Sequence, residues 1–246
     1  MGRKIVIGDI HGALRALEQL MDRLKLEKTD EFIFLGDYAD GWPQSAQVID
    51  YLIDLEKSHR CIFIKGNHDA WAEEWLISGL AEPAEWVRNG GSQTMGSYDG
   101  YSEAQKDLHI GFFGKMPYYV IDPENRLFVH AGFSSLQGPP KEHFESNFFW
   151  DRTLWEMALA TDKNLERESP FYPKRLKLFK EIYIGHTPTT NFFIDVPMHA
   201  HSVWNVDTGA AFKGCVSAMD IETKQFWQSD PIWKLYPGEK GRNKIL

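Results

Sequence analysis

The sequence predicts an α/β fold built on an open parallel sheet. Runs of β-branched and aromatic residues at Lys4 to Gly8, Glu31 to Gly36 and Cys61 to Gly66 each end in glycine followed by a polar residue, as a buried strand does where it meets a turn. Between them, Ala13 to Leu26 places Leu14, Leu17, Leu20, Met21 and Leu24 at helical spacing, and Gln44 to Glu56 does the same with Val48, Ile49, Leu52, Ile53 and Leu55. A β-α-β-α-β order makes neighbouring strands parallel and sends ligand sites to their carboxyl ends. A chain of 246 residues, 43% of them hydrophobic, is large enough to bury such a sheet in one sizeable core.

The later elements follow from the same patterns. Trp71 to Leu80 reads as a helix, Asn89 to Gly100 as a loop rich in Gly and Ser, and Pro140 to Lys180 as a mostly helical excursion. Strands return at Tyr118 to Asp122 and Arg126 to His130 around an Asp-Pro-Glu-Asn turn, then at Ile182 to Gly185 and Val203 to Asp207, with a hairpin between Val216 and Gln228. The expected organisation is one domain over residues 1–236, with a helical cap at about 140–180 and a loose Pro/Gly/Lys-rich tail over 237–246.

Composition narrows the function. With 27 basic against 35 acidic side chains the net charge is −8, so a nucleic-acid partner is disfavoured. Cys61 and Cys215 have no CxxC spacing, which indicates neither a disulfide framework nor a thiolate zinc site and fits a reducing, cytoplasmic setting. Arg3, Lys4 and Asp9 interrupt any signal peptide, no apolar run approaches the ~18 residues of a membrane span, and Val6 stands where a myristoylation signal needs Ser or Thr. No membrane partner is expected.

Four of the nine histidines directly follow apolar strands, in Asp9-Ile10-His11, Asn67-His68-Asp69, His130-Ala131-Gly132 and Gly185-His186-Thr187. Adding Asp37 and Asn67 gives two carboxylates, an amide and several imidazoles on one sheet edge. Hard oxygen and borderline nitrogen donors without a thiolate suit first-row divalent ions such as Mn, Fe or Zn.

The ordered set Gly8-Asp9-Ile10-His11-Gly12, Gly36-Asp37-Tyr38-Ala39-Asp40, Gly66-Asn67-His68-Asp69, His130-Ala131-Gly132 and Gly185-His186-Thr187-Pro188 resembles the calcineurin-like metallophosphoesterases. Within them it is most similar to the phosphoprotein phosphatase branch in its short bacterial and phage form. Asn89-Gly90-Gly91, Thr94, Ser97-Tyr98, Trp150-Asp151-Arg152 and Val206-Asp207-Thr208-Gly209 extend the match over Asp9 to about Asp220. The resemblance implies a two-sheet α/β metallophosphatase sandwich flanked by helices, with the metal site at the strand carboxyl ends. It implies two divalent metal ions, manganese first, with iron or zinc as alternatives. Asp9 and His11 would hold the first, Asp37 would bridge, and Asn67, His130 and His186 would complete the second. His68 would act as general acid, oriented by Asp40, and Arg152 would grip phosphate. Pro188 stands where many phosphodiesterase and nuclease relatives place a second histidine, which favours the protein-phosphatase branch.

Gly41 departs from the pattern. The common continuation is Asp-Arg-Gly, whereas this chain reads Asp40-Gly41-Trp42-Pro43, so a phosphate-binding arginine is missing. Weak phosphate binding follows unless another cation substitutes.

The implied activity is dinuclear-metal phosphomonoester hydrolysis by a cytoplasmic serine/threonine protein phosphatase, with a phosphorylated protein or a small phosphate ester as substrate. Hydrolysis of a dinucleoside polyphosphate of the diadenosine tetraphosphate type is the alternative. A non-catalytic binding module retaining the fold is a second. Simpler roles compete at single positions: a turn or helix cap for Asp9 and Asp37, stabilisation of the Gly41 turn for Asp40, an ion pair with Asp151 or Glu156 for Arg152, and helix packing for Trp71 and Trp75. Gly90-Gly91 reads as a close backbone approach beside the site, because no Gly-Lys-Ser/Thr follows.

Overall fold

The computed structural model describes residues 2–243. Its strands are β1 Lys4–Ile7, β2 Glu31–Phe34, β3 Arg60–Phe63, β4 Tyr119–Ile121, β5 Arg126–Val129, β6 Glu181–Ile184, β7 Met198–Ala200, β8 Val203–Asn205, β9 Ser217–Asp220 and β10 Phe226–Gln228. They form two five-stranded sheets, ordered β10-β9-β1-β2-β3 and β4-β5-β6-β8-β7. Each sheet has a parallel core, β1-β2-β3 in one and β5-β6-β8 in the other, flanked by antiparallel strands. The expected two-sheet α/β sandwich is therefore the observed architecture.

Alternation along the strands explains why they read as unbroken apolar runs. Val6 and Ile33 point between the sheets, where they meet Phe128, Tyr183, Val206 and Met219. Ile5, Ile7, Phe32 and Phe34 point outward and are covered by helices α1, Leu14–Leu24, and α2, Ser45–Glu56. On the other sheet, Leu127, Val129, Ile182 and Ile184 are covered by Phe148, Leu154, Trp155 and Leu176 of the segment expected as a helical excursion. Both faces of both sheets are thus buried, as parallel strands require.

Three segments differ from expectation. Residues 89–100 are largely helical, including Ser92–Ser97, because buried hydroxyls give that turn tertiary partners: Ser97 Oγ donates to Thr94 O at 2.6 Å and accepts from Ala46 N at 3.0 Å. Residues 140–180 contain only short helices, Asn147–Trp150, Thr153–Ala160 and Lys174–Lys177, joined by turns. Glu103–Phe113 is a helix that begins at the capping box of Ser102 and Gln105, a start signal that the sequence itself carries.

The tail also differs as far as it is described; Lys244 to Leu246 lie outside the described residues. Arg242 N donates to Ala211 O at 2.9 Å, and Gly241 lies so close to Trp42 that a Cβ there would come within 2.7 Å of the ring. Trp42 is itself fully buried and stacked on Tyr236, with centroids 5.3 Å apart.

Phe128 is fully buried between the sheets and stacked on Tyr183 at 5.0 Å. Phe128→Ala should cost about 3–5 kcal/mol, the usual range for deleting a buried aromatic ring, read as a lower midpoint in urea unfolding. An unchanged midpoint would show that the inter-sheet layer closes over the cavity.

Candidate metal centre

The expected ligands all follow the carboxyl ends of parallel strands: Asp9 and His11 after β1, Asp37 after β2, His130 after β5 and His186 after β6. Asn67 and His68 open the helix α3, Asn67–Ser78, which follows β3. Two sheets therefore aim their strand ends at one locus. The chain must turn abruptly there. His11, Asp37, Asp40 and His186 take positive φ values of 54, 54, 71 and 65°, a region non-glycine residues rarely enter. The surrounding backbone holds them in it. Ile10 N and His11 N both donate to Asp37 O, at 3.0 and 2.9 Å, and His186 N donates to the Asp9 carboxylate at 3.2 Å.

Asp37 lies at the middle. Its Oδ2 is 3.6 Å from His11 Nε2 and 3.3 Å from His130 Nε2, and its Oδ1 accepts from His68 N at 3.0 Å. Asp9 Oδ2 is 3.7 Å from His11 Nε2. Asn67 Oδ1 lies 3.2 Å from His130 Nε2 and 3.0 Å from His186 Nδ1. Two clusters with ligand atoms within 4.8 Å of one another result, His11-Asp37-His68 and Asp37-His130-His186, sharing Asp37.

The histidine tautomers suit a cation. A carbonyl can only accept, so His11 Nδ1 donates to Asp40 O at 3.0 Å and His130 Nδ1 donates to Leu35 O at 2.8 Å. Both Nε2 atoms then face the centre, the arrangement that orients a metal-ligating imidazole. His186 Nε2 is buried without a hydrogen-bond partner among the described residues. Burial pushes the His11 pKa down and the His186 pKa well down, keeping both imidazoles neutral. For His130 burial acts the same way, but the Asp37 carboxylate outweighs it and lifts the ring to about 10. Burial also pushes the Asp9 carboxyl up to about 7, against the pull of His130. Asp37 stays well below the usual carboxylate range, because His130, His68 and His11 outweigh its burial. A buried carboxylate shared between clusters of imidazole and amide donors fits two divalent cations.

His68 and Asp40 form a separate pair. His68 Nδ1 lies 2.6 Å from Asp40 Oδ2, which also accepts from Trp86 Nε1 at 2.7 Å, while Asp40 Oδ1 accepts from Thr94 Oγ1 at 2.6 Å. Burial pushes the Asp40 carboxyl up to about 7, and the Thr94 and Trp86 hydrogen bonds oppose it. Nothing in the sequence pattern linked Trp86 or Thr94 to Asp40; the helical turn over 87–97 brings them there. As anticipated, Gly90 packs directly against the backbone at Gly41, with Gly41 N donating to Gly90 O at 3.3 Å.

Arg152 reaches the cleft, where its Nη1 donates to Thr187 Oγ1 at 3.1 Å. The competing ion pair does not form among the described residues: Asp151 instead accepts from Thr153 N and Leu154 N and lies 3.7 Å from Arg175. Trp71 and Trp75 part company. Trp71 lines the cleft in edge contact with His68 and Trp150, whereas Trp75 packs on Trp86 and Tyr98.

Sequence reasoning missed Asp69 and Arg242. Asp69 is fully buried and accepts from Asp37 N, Tyr38 N and Gly66 N at 2.7, 2.8 and 2.9 Å, tying the turn after β2 to the start of α3. Its position two residues after Asn67, in the first turn of a helix, was the available signal. Arg242 comes from the tail and lines the same cleft as Arg152.

The calcineurin-like phosphoesterase family profile matches residues 2–210. The chain belongs to this family. Its curated relatives include a bis(5'-nucleosyl)-tetraphosphatase of Halalkalibacterium halodurans, 25% identical over 97% of each chain. Another is the enzyme of the same name from Anoxybacillus flavithermus, 26% identical over 96% of this chain and 97% of that one. Among solved structures, a serine/threonine protein phosphatase from Saccharomyces cerevisiae superposes with a TM-score of 0.61 at 13% identity, covering 93% of this chain and 80% of that one, a likeness of fold. The metallophosphoesterase family uses divalent metals, and no described helix is long and apolar enough to cross a membrane.

Gly185 allows the Asp9 approach, since a Cβ there would lie 2.2 Å from Asp9 Oδ1. Gly185→Ala should displace that carboxylate and weaken manganese binding by about 10- to 100-fold in calorimetric titration, the usual effect of disturbing a ligand's support. Gly96→Ala is the control, because a Cβ there meets nothing within 4 Å. Equal manganese affinity in both variants would remove Asp9 from the centre.

Proposed function

We propose that this chain is a metal-dependent phosphohydrolase acting on a dinucleoside polyphosphate, rather than a serine/threonine protein phosphatase. The observation that carries the chemistry is the shared carboxylate Asp37 between two donor clusters. The choice of substrate is supported by the tetraphosphatase relatives aligned along almost the whole chain, whereas the protein phosphatase likeness is one of fold alone. Relatives of that name cleave a phosphoanhydride, so the monoester reading gives way to hydrolysis within a polyphosphate chain. The aromatic pair Trp71 and Trp150, with ring centroids 4.9 Å apart beside His68 and His186, offers a nucleobase a stacking surface.

In this reading Asp9 and His11 hold one cation, Asn67, His130 and His186 hold the other, and Asp37 serves both. Bound there, the pair supplies Lewis acidity, offsetting phosphoryl charge and lowering the pKa of water. His68 faces the leaving oxygen through Nε2, because Nδ1 is committed to Asp40. Burial, with the nearby Arg242, His11 and His130, holds the His68 pKa well down against the pull of Asp37. An arriving phosphoryl dianion raises its proton affinity, and the Asp40 carboxylate steadies the imidazolium. Arg152, lining the same cleft, meets the phosphoryl oxygens. With the donor set complete, a purely non-catalytic module has no observation in its favour.

Two measurements test this. Diadenosine tetraphosphate should be turned over faster than a phosphoserine peptide by the manganese-loaded protein; the reverse ranking restores the protein phosphatase reading. His68→Asn should lower kcat by about 10²- to 10⁴-fold at unchanged metal content, and by less for p-nitrophenyl phosphate, whose leaving group needs little protonation. An equal loss for both substrates removes His68 as the acid.

A further inference from the structure

We propose that Arg242, carried on the C-terminal segment, is a second substrate-binding arginine that takes the phosphoryl group together with Arg152. The inference rests on the phosphohydrolase reading above and adds a residue to it. Gly41 and Trp42 make room and anchor the segment at once. A Cβ built on Gly41 would meet Arg242 Cγ at 3.3 Å and Cδ at 3.6 Å, so the arginine stem fills the volume a side chain at position 41 would need. Gly41 has a φ of 108°, which glycine alone adopts cheaply, so the space stays free for a side chain from elsewhere. Trp42, the next residue, is the surface on which Gly241 lies. The guanidinium sits 5.3 Å over the Phe212 ring.

Its polar environment is incomplete. Arg242 makes no ion pair within 4 Å among the described residues, its Nη2 reaches only Asn89 Oδ1 at 3.4 Å, and Nε is buried without a partner. Burial pushes its pKa down, outweighing the pull of Asp37, Asp40, Asp207 and Asp9. Asp9 and Asp37 are assigned to cations and Asp40 to His68, so none of these three serves as its counterion. A planar guanidinium with open donors, lining a cleft with a second one and the His68 ring, calls for a tetrahedral anion.

Inorganic phosphate is the probe, titrated into the manganese-loaded full-length protein by calorimetry, with KM and kcat for p-nitrophenyl phosphate measured in parallel. Arg242→Gln should weaken phosphate binding by about 10- to 100-fold and raise KM, with metal content unchanged. If that variant melts early or loses metal, Arg242→Lys decides. Loss of the planar fork should still weaken phosphate binding several-fold in a folded, metal-replete protein. Phosphate affinity within twofold of wild type in a folded, metal-replete Arg242→Gln or Arg242→Lys overturns the proposal and leaves the phosphohydrolase reading standing. A wild-type protein that holds two metals and binds no phosphate overturns both.

Discussion

Asp37 is the residue on which the site depends, through backbone and side chain alike. Its carbonyl accepts from Ile10 and His11, its amide donates to Asp69, and its carboxylate faces His11, His130 and the amide of His68. One residue in a left-handed conformation thereby joins the turns after β1, β2 and β3 to a strand of the opposite sheet. A buried carboxylate so placed is costly unless positive charge surrounds it. The His130 ring, whose proton Asp37 holds, reduces that cost in the protein itself, and cations at the site would reduce it further. The strained conformations around the site persist because the two sheets, locked by Phe128, Tyr183, Val6 and Ile33, leave the turns no other path.

Much of this was legible because each candidate ligand follows a strand whose apolar run stops at or near it. Residue type and strand end together mark Asp9, His11, Asp37, His130 and His186, and the structure brings all of them to one locus. What supports them was less legible. Asp69 reads as one more acidic residue near a helix start until Asp37 and Gly66 are seen to donate to it. Thr94 and Ser97 read as loop formers because hydroxyl residues compete with helical hydrogen bonding. Here the competition is settled by tertiary partners, Asp40 for Thr94 and Ala46 for Ser97, which local composition does not reveal.

Fold and substrate separate cleanly in this molecule. The same paired sheets are found in a yeast serine/threonine phosphatase at 13% identity, so the architecture by itself does not choose between a protein and a nucleotide. The choice lies in the walls of the cleft. Trp71 and Trp150 lie in edge contact across its mouth, one from α3 and one from the excursion after β5. Flat aromatic surface beside two guanidinium groups suits alternating bases and phosphates better than it suits an extended peptide, whose backbone needs a run of hydrogen-bonding partners.

The Asp40-Gly41-Trp42 segment shows how one departure from a motif can be read twice. In the sequence, Gly41 is a loss: a side chain expected to carry charge is absent. In three dimensions the glycine is an opening, and Trp42 beside it is the platform that directs the tail into that opening. The two changes are useful only together. Glycine without the tryptophan would leave a hole, and the tryptophan without glycine would leave the incoming arginine stem no volume. In the proposed arrangement the cation sits not on the loop beside the candidate metal ligands but on a segment that touches Ala211, Trp42 and Phe212. Phosphate recognition and the anchoring of the C-terminal segment then become one equilibrium. Whatever favours an anion in the cleft also favours the docked tail, and by reciprocity a docked tail favours the anion.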